Sequence, residues 1–217
     1  MTEHHLTVAR SARYYQLGEL RADTRRIWFV LHGYGQLAAY FLRHFEAIAQ
    51  ADPHLIIIAP EGLSRFYLNG NGGRVGASWM TKVDRLAEID DYVAYLNQLT
   101  APVLANAPKA DITVLGFSQG AATAGRWLSR ANFRPTRLIL WAGAFPEDMD
   151  FRVATSLLRH LPVTLVVGEQ DEYIGAAQVR AQLDFLRQLG VEAELIQFAG
   201  RHTLDAQVLH QLAGRAS

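Results

Sequence analysis

The sequence predicts an α/β fold in which a mostly parallel sheet is covered by helices on both faces. Short apolar runs typical of buried strands alternate along the chain with segments of helical periodicity. Such alternation favours parallel strands that are joined by crossover helices. The chain has 217 residues, of which 50% are hydrophobic, so it can bury these elements in one core. Because no repeat or linker divides it, we expect a single domain over residues 1–217.

Composition narrows the function classes before any motif is considered. Lys and Arg together number 21, as do Asp and Glu, so no basic excess favours binding to nucleic acid or an anionic membrane surface. The absence of cysteine excludes disulfides, cysteine-ligated zinc and cysteine nucleophiles. No apolar run approaches the ~20 residues of a membrane span, and the N-terminal residues lack the pattern of a signal peptide. We expect a cytoplasmic protein, either a monomer or a homodimer.

The first half of the chain begins with one or two antiparallel edge strands within residues 6–17. Residues 27–31 (Ile-Trp-Phe-Val-Leu) then form a continuous apolar run, which is typical of a strand buried on both faces. Residues 37–51 have helical periodicity, and residues 55–59 form a second buried strand that Pro60 ends. The glycine-rich segment at residues 61–82 is predicted to be a loop over the ends of the sheet.

The second half continues the alternation. A long helix follows residue 85, with its end bracketed by Pro102 and Pro108. The central strand at residues 112–115 leads into a helix that is expected to end near residues 131–132. Further strands are predicted at residues 138–142, 162–167 and 192–198, with helices at residues 151–160, 176–189 and 204–212.

The centre of the pattern is the pentapeptide Gly116-Phe117-Ser118-Gln119-Gly120, which lies between a predicted strand and a predicted helix. This strand, turn and helix context is what a Gly-x-Ser-x-Gly nucleophile turn requires. Glycines on either side allow a serine to occupy a strained apex without clashes, and the helix N-terminus offers free N–H groups. Ser118 is therefore the candidate nucleophile, although a surface serine on a glycine-softened turn is the alternative interpretation.

A serine nucleophile needs a base and a group that orients the base. Among eight histidines, His202 lies in a loop directly after the last predicted strand and downstream of Ser118. Asp171 follows the strand before it and is the candidate acid. Glu169, Glu172, Asp148 and Asp150 are its competitors, and a helix N-terminal carboxylate is the structural alternative for Asp171. The order Ser118, Asp171, His202 is that of the α/β-hydrolases.

The oxyanion of an acyl-transfer intermediate needs two donors. The backbone N–H groups of Gln119 and of Tyr34, in the loop after the first buried strand, are the candidates. Gly33 would let the backbone approach a substrate carbonyl. His32 is expected to hold this loop by a side-chain hydrogen bond rather than to transfer protons.

Together, Leu31-His32-Gly33 with Gly35, the pentapeptide around Ser118, Asp171 and His202 resemble the carboxylesterase/phospholipase family of small α/β-hydrolases. The resemblance spans nearly the whole chain. It implies hydrolysis of small or medium carboxylic esters, or of thioesters, by a Ser-His-Asp triad, with no metal or cofactor and a small acyl ester as partner. The chain departs from the family pattern at Gln36, at Trp79-Met80-Thr81 and at Glu172, and these departures affect the substrate rather than the triad.

Specificity is predicted to arise in the glycine-rich loop. Trp79 and neighbouring aromatics could line an acyl pocket, and Arg74 could meet an anionic group, or the loop could simply pack on its own aromatics. A lipase or peptidase is the alternative enzyme, although the polar loop gives little support for a lipase lid. A non-catalytic binding or sensor protein is the alternative outside enzymes, although such proteins usually lose a triad member or an oxyanion glycine.

Overall fold

The computed structural model describes residues 1–215 and contains a seven-stranded sheet with a separate two-stranded hairpin. The strands are β1 Tyr14–Leu17, β2 Arg26–Leu31, β3 Leu55–Pro60, β4 Ser64–Asn69, β5 Gly72–Ser78, β6 Asp111–Phe117, β7 Arg137–Trp141, β8 Val163–Gly168 and β9 Glu194–Phe198. The helices are α1 Ala38–Phe41, α2 Glu46–Ala51, α3 Arg85–Asn106, α4 Gln119–Leu128, α5 Phe151–Leu158, α6 Ala176–Gln188 and α7 Ala206–Gly214. The main sheet has the order β1-β3-β2-β6-β7-β8-β9, and β1 is its antiparallel edge strand. All other neighbours are parallel, which confirms the predicted α/β class.

The direction of strand addition reverses beside β2. The chain passes from β2 to β3 on one side, and β6 then adds to the other side of β2. Leu31 at the end of β2 is paired with Gly116 near the end of β6. In open α/β sheets, ligands bind at such a switch point, outside the carboxyl ends of the strands. The segments that follow β2 and β6 are the predicted oxyanion loop and the turn at Ser118.

The core has two layers, one on each face of the sheet. Apolar side chains of α3, α4, α5 and α6 pack on one face together with strand residues such as Leu140 and Leu165. Side chains of α1, α2 and α7 pack on the other face against Phe117, Trp141 and Phe198. The strands β2, β3 and β8 are buried along almost their whole length. Burial on both faces explains why these strands read as continuous apolar runs.

The glycine-rich segment at residues 61–82 is not simply a loop, and that prediction was wrong. It contains the antiparallel hairpin of β4 and β5, in which Ser64 pairs with Ser78 and Asn69 with Gly72. Gly70 and Gly73 adopt positive φ angles of 64° and 83° at the tip. Glycines at these positions make the reversal between the two strands possible. The glycines that interrupt the strand pattern in the sequence therefore form the turn of the hairpin.

The helices follow the predicted order, but some of their boundaries differ from the prediction. The helix expected at residues 37–51 is split by a 3-10 turn, Leu42–Phe45, where buried side chains recur at three-residue intervals. Helix α3 ends at Asn106, between Pro102 and Pro108 as predicted, and loses one N–H donor at Pro102, which lies inside it. Helix α4 ends at Leu128, because the N–H of Arg130 turns to the carbonyl of Trp127, three residues back.

Among residues 1–215, no helix combines the length and the apolar character needed to cross a membrane.

Candidate active site

Ser118 occupies a strained turn between β6 and α4. Its backbone has φ 54° and ψ −117°, which non-glycine residues rarely adopt. A Cβ atom on Gly116 would lie 2.2 Å from the carbonyl oxygen of Gly120, and one on Gly120 would lie 2.3 Å from that of Leu31. Both glycines are therefore required by close backbone contacts. The Ser118 N–H donates to the carbonyl of Trp141 at 2.8 Å, which fixes the turn against β7.

The structure brings Ser118, His202 and Asp171 together in one hydrogen-bonded chain. Ser118 Oγ lies 3.0 Å from His202 Nε2, and His202 Nδ1 lies 2.8 Å from Asp171 Oδ2. The Asp171 side chain is fully buried, and its Oδ1 accepts from the N–H groups of Tyr173 and Ile174 at 2.9 and 3.0 Å. These contacts leave Oδ2 for the imidazole. The arrangement has the geometry by which a carboxylate orients a base and the base takes a proton from serine.

The loops that carry Asp171 and His202 are fixed to each other by the backbone. Gln170 N–H donates to the carbonyl of Gly200 at 2.9 Å, and a Cβ on Gly168 would lie 2.4 Å from that same oxygen. The indole N–H of Trp141 donates to the carbonyl of Thr203 at 2.9 Å. The histidine loop is thus held by both β7 and β8.

Side chains that sequence reasoning did not single out surround the His202 ring. The centroid of Phe117 lies 5.0 Å from the imidazole centroid, and that of Tyr173 lies 4.7 Å away. Glu172, a predicted competitor of Asp171 and a departure from the family pattern, accepts from the His202 backbone N–H at 3.4 Å. Their position next to Ser118 and Asp171 in the sequence was the available signal.

The competing carboxylates have other partners. Asp148 is paired with Arg85 and Arg126, and Asp150 caps α5 by accepting from the N–H groups of Arg152 and Val153. Among the described residues, the carboxylate in contact with the His202 imidazole is that of Asp171. The geometry therefore favours Asp171 over Asp148 and Asp150 as the acid that orients His202.

The two predicted oxyanion donors belong to segments that adjoin Ser118, namely the start of α4 and the loop after β2. Gln119 begins α4, so its N–H has no intrahelical partner, and Tyr34 N–H likewise has no acceptor within residues 1–215. A Cβ on Gly33 would lie 3.2 Å from the Cβ of Ser118. Gly33 therefore lets the loop after β2 pack directly against the serine.

His32 is buried beneath the predicted oxyanion loop and is not part of the hydrogen-bonded group of Ser118, His202 and Asp171. Its Nδ1–H donates to the carbonyl of Gly33 at 2.7 Å, and its Nε2 accepts from the N–H of Gly62 at 2.9 Å. Burial lowers the pKa of His32 to about 4. The neutral ring thus joins the oxyanion loop to the start of the hairpin segment, in agreement with the expected structural role.

The base of the hairpin supports the oxyanion loop through backbone contacts. Gly35 N–H donates to the carbonyl of Ala77 at 2.8 Å, and Ala77 N–H donates to that of Gln36 at 3.0 Å. A Cβ on Gly76 would lie 2.4 Å from the Gly35 oxygen. The hairpin therefore forms a short antiparallel bridge with the loop that presents Tyr34 N–H.

The side chain of Gln119 connects the other oxyanion segment to the same hairpin. Its Oε1 accepts from the N–H of Trp79 at 3.1 Å, and its Nε2 donates to the carbonyl of Met80 at 2.8 Å. The end of β5 thus contacts both segments that carry the candidate donors.

The predicted substrate-binding residues of this region have different environments. Trp79 is 2% exposed, stacks on His32 and donates its indole N–H to the His32 carbonyl at 2.8 Å, so it supports the oxyanion loop from below. Arg74 lies exposed on β5. The rings of Tyr34 and Phe66 lie 5.1 Å apart on the outer side. The burial of Trp79 does not favour its contact with a substrate. Contact of Arg74 with an anionic group stays a prediction.

Possible metal ligands cluster elsewhere. In the described part of the chain, the group of three that could hold an ion is Glu3, His5 and Asp84, all of them exposed. None of them belongs to the hydrogen-bonded group of Ser118, His202 and Asp171.

The central parallel sheet, the turn at its switch point and the order of Ser118, Asp171 and His202 define an α/β-hydrolase. A sequence model of the phospholipase/carboxylesterase family matches residues 21–214, so the chain belongs to this family of hydrolases. No curated protein sequence matches the chain.

Solved structures with the same fold include esterase PE8, with 22% identity, a TM-score of 0.69 and coverage of 94% of this chain and 97% of that one. Acyl-protein thioesterase 2 of Zea mays has 18% identity, a TM-score of 0.70 and coverage of 94% and 96%. A carboxylesterase of Mesorhizobium loti has 21% identity, a TM-score of 0.68 and coverage of 94% and 95%. At these identities the likeness establishes the fold.

Proposed function

We propose that the protein is a serine esterase that hydrolyses small or medium carboxylic esters through an acyl-enzyme. The observation that carries the proposal is the continuous chain from Ser118 Oγ through His202 to the buried Asp171, with contacts of 3.0 and 2.8 Å. Membership of the phospholipase/carboxylesterase family supports the same reaction class.

In the first half of the reaction, Ser118 Oγ attacks the acyl carbonyl and His202 Nε2 takes the serine proton. Asp171 orients the ring and stabilises the imidazolium that forms. The N–H groups of Tyr34 and Gln119 donate to the oxyanion of the tetrahedral intermediate. His202 then gives the proton to the leaving alcohol, and the acyl group stays on Ser118.

In the second half, His202 takes a proton from water, and the resulting nucleophile attacks the acyl-serine. The same two N–H groups stabilise the second oxyanion, and the proton returns to Ser118 as the carboxylic acid leaves. Apart from the ester and water, all groups in this scheme belong to the chain itself, so the proposal assigns no metal or cofactor.

The direct test is hydrolysis of p-nitrophenyl butyrate by Ser118→Ala. We expect kcat to fall by about 10⁴-fold or more, because the nucleophile is lost while the fold is kept. Ser129→Ala is a matched control, since Ser129 is the C-cap of the same helix and its Oγ donates to the Arg126 carbonyl. Near-wild-type activity of Ser118→Ala would contradict the proposal.

Assays on the same purified protein distinguish the esterase from the alternative functions that the sequence left open. A binding or sensor protein would leave Ser118 unreactive towards a fluorophosphonate in the folded state. A lipase or peptidase would prefer emulsified long-chain esters or peptides over soluble short esters. Thioesters present the same acyl carbonyl to the same groups, so acyl thioesters matched in chain length are tested alongside the oxygen esters.

A further inference from the structure

An apolar cavity of about 180 Å³ lies between helix α6 and the strands β7, β8 and β9. Its walls include Leu140, Leu165, Val167, Ile174, Val179 and Leu195. Gly143 and Ala144, directly after β7, also line it. Gln178 and Gln182 contribute to the lining, but the accessible surface is almost entirely hydrocarbon, so a charged ligand would lose its hydration there with little compensation.

Two wall residues touch the proposed catalytic groups. A Cβ on Gly143 would lie 2.5 Å from the carbonyl oxygen of Ser118, so the wall and the nucleophile turn are in direct contact. The N–H of Ile174 donates to Asp171 Oδ1 at 3.0 Å. Two walls of the cavity are therefore packed against the nucleophile turn and the loop of Asp171.

The two sides of the cavity are fixed relative to each other. The side chain of Gln182, on α6, is buried, and its Oε1 accepts from the N–H of Phe145. This contact ties the segment after β7 to the helix that covers the cavity. A site whose walls are already positioned loses little free energy in ordering when a chain enters.

The cavity and the His202 ring lie on opposite faces of the sheet. Leu140 and Leu165 belong to the apolar layer under α6, whereas His202 packs on Phe117, which belongs to the layer of α1 and α7. In the proposed reaction the leaving oxygen must approach His202 to receive its proton. The acyl arm of the ester then extends away from His202, towards the face that holds the cavity.

From this geometry, and resting on the proposed esterase function, we propose that the cavity under α6 binds the acyl chain of the substrate. A volume of 180 Å³ holds about six groups of the size of a water molecule or a methylene, at roughly 30 Å³ each. The substrate class is thus an ester of an unbranched, unsubstituted acid with about six carbons beyond the carbonyl. Each methylene that enters should raise kcat/KM about fourfold.

The test is the chain-length profile of kcat/KM for p-nitrophenyl acetate, butyrate, hexanoate, octanoate and decanoate. We expect a rise to a maximum at hexanoate or octanoate, followed by a fall when the cavity is full. A profile that is flat, or that is highest with acetate, would overturn the proposal.

Val179→Trp fills the cavity from α6 and should lower the ratio of hexanoate to acetate kcat/KM at least tenfold. Arg180→Trp is the matched control, because Arg180 is the next residue on the same helix and lies exposed, outside the cavity wall. If Val179→Trp does not fold, Leu195→Trp narrows the cavity from β9 instead. An unchanged ratio in a folded cavity variant would overturn the proposal.

Acetate esters of longer alcohols test the other possible occupant. If Val179→Trp lowers turnover of hexyl acetate relative to methyl acetate, and leaves the acyl profile as in the wild type, the cavity binds the alcohol and the proposal is wrong. Failure of the esterase function itself is separate, because fluorophosphonate labelling of Ser118 does not depend on chain length. Labelled protein with a flat profile overturns only the acyl-chain assignment.

Discussion

The nucleophile turn at Ser118 and the hairpin of β4 and β5 both depend on glycine, but they do so in different ways. Gly116 and Gly120 each face a backbone atom at 2.2 or 2.3 Å from where a Cβ would lie. In the hairpin, Gly76 has a comparable contact at its base, whereas Gly72 near the tip has nothing within 4 Å. Close contacts therefore constrain the turn at both glycines. In the hairpin such a contact lies at the base, whereas Gly70 and Gly73 at the tip are required for their positive φ angles.

The turn at Ser118 is specified mainly by its own local sequence, whereas the base of the hairpin is specified by tertiary contacts. The turn is specified by five consecutive residues, and its close contacts lie within the strand, the helix and the adjoining β2. The base of the hairpin depends on partners distant in sequence, namely the loop after β2 and the side chain of Gln119. We therefore expect substitutions in the turn to act on both folding and activity, and those at the hairpin base to act mainly on activity.

The largest effect is expected for Gly120→Ala. Its Cβ would lie 2.3 Å from the Leu31 oxygen and 2.8 Å from that of His32, so β2 and α4 would have to separate. We expect the free energy of unfolding to fall by about 3 kcal/mol and kcat/KM for p-nitrophenyl butyrate to fall by about 100-fold or more. Gly214→Ala, at a helical position with open space, should keep both values within error or slightly raise stability. Equal behaviour of the two variants would show that the turn is not constrained.

The second prediction concerns His32, which links the oxyanion loop to the start of the hairpin segment. Its pKa is about 4 when folded, against about 6.5 when exposed, so the unfolded chain binds a proton first as pH falls. Stability is thus full above about pH 6.5 and is lost as pH falls towards 4. This group should lower the free energy of unfolding by about 3 kcal/mol between pH 7.5 and pH 4.

Urea unfolding at both pH values measures this loss. The loss should shrink by about that amount in His32→Gln, which cannot titrate, and stay unchanged in His210→Gln, an exposed histidine on α7. If His32→Gln loses as much stability as the wild type over this range, His32 is not the buried neutral link described above.

The third prediction compares the base of the hairpin with its tip. Gly76→Ala would place a Cβ 2.4 Å from the Gly35 oxygen and displace the loop that presents Tyr34 N–H. We expect kcat to fall about tenfold with a smaller change in KM, because the donor acts on the transition state. Gly72→Ala should leave both constants unchanged. Steady-state kinetics with p-nitrophenyl butyrate separates the two, and equal effects would remove the distinction between base and tip.

The smallest effect is expected for Ser118→Gly, measured as stability. The residue at the apex has φ 54°, so glycine should relieve strain and raise the free energy of unfolding by about 1 kcal/mol while activity is lost. Ser129→Gly, at an ordinary helical φ of −64°, should lower stability instead. A loss of stability in Ser118→Gly would indicate that the turn is not strained.

The sequence predicted what depends on neighbouring residues. The buried strands could be read from continuous apolar runs because helices cover both faces of the sheet. The position of Ser118 could be read from its two glycines, and the strand ends that carry Asp171 and His202 could be read from chain order. The contact of these side chains is a tertiary fact, and their roles in the reaction stay proposals.

Other features could not be read locally. The hairpin was missed because Gly70, Gly72 and Gly73 interrupt any alternation, and the close fit of Gly76 on Gly35 joins it to a loop that is distant in sequence. The environments of His202 and of the cavity under α6 require side chains from strands and helices that are far apart in sequence.

The central claim is that Ser118 is a nucleophile activated by His202 and Asp171. Its most direct test is reaction of the folded protein with a fluorophosphonate, followed by intact-mass measurement and peptide mapping. We predict a single adduct on Ser118 in the wild type and much slower labelling of His202→Ala at the same residue. Absence of an adduct in folded wild-type protein, or an adduct on another residue, would contradict the account.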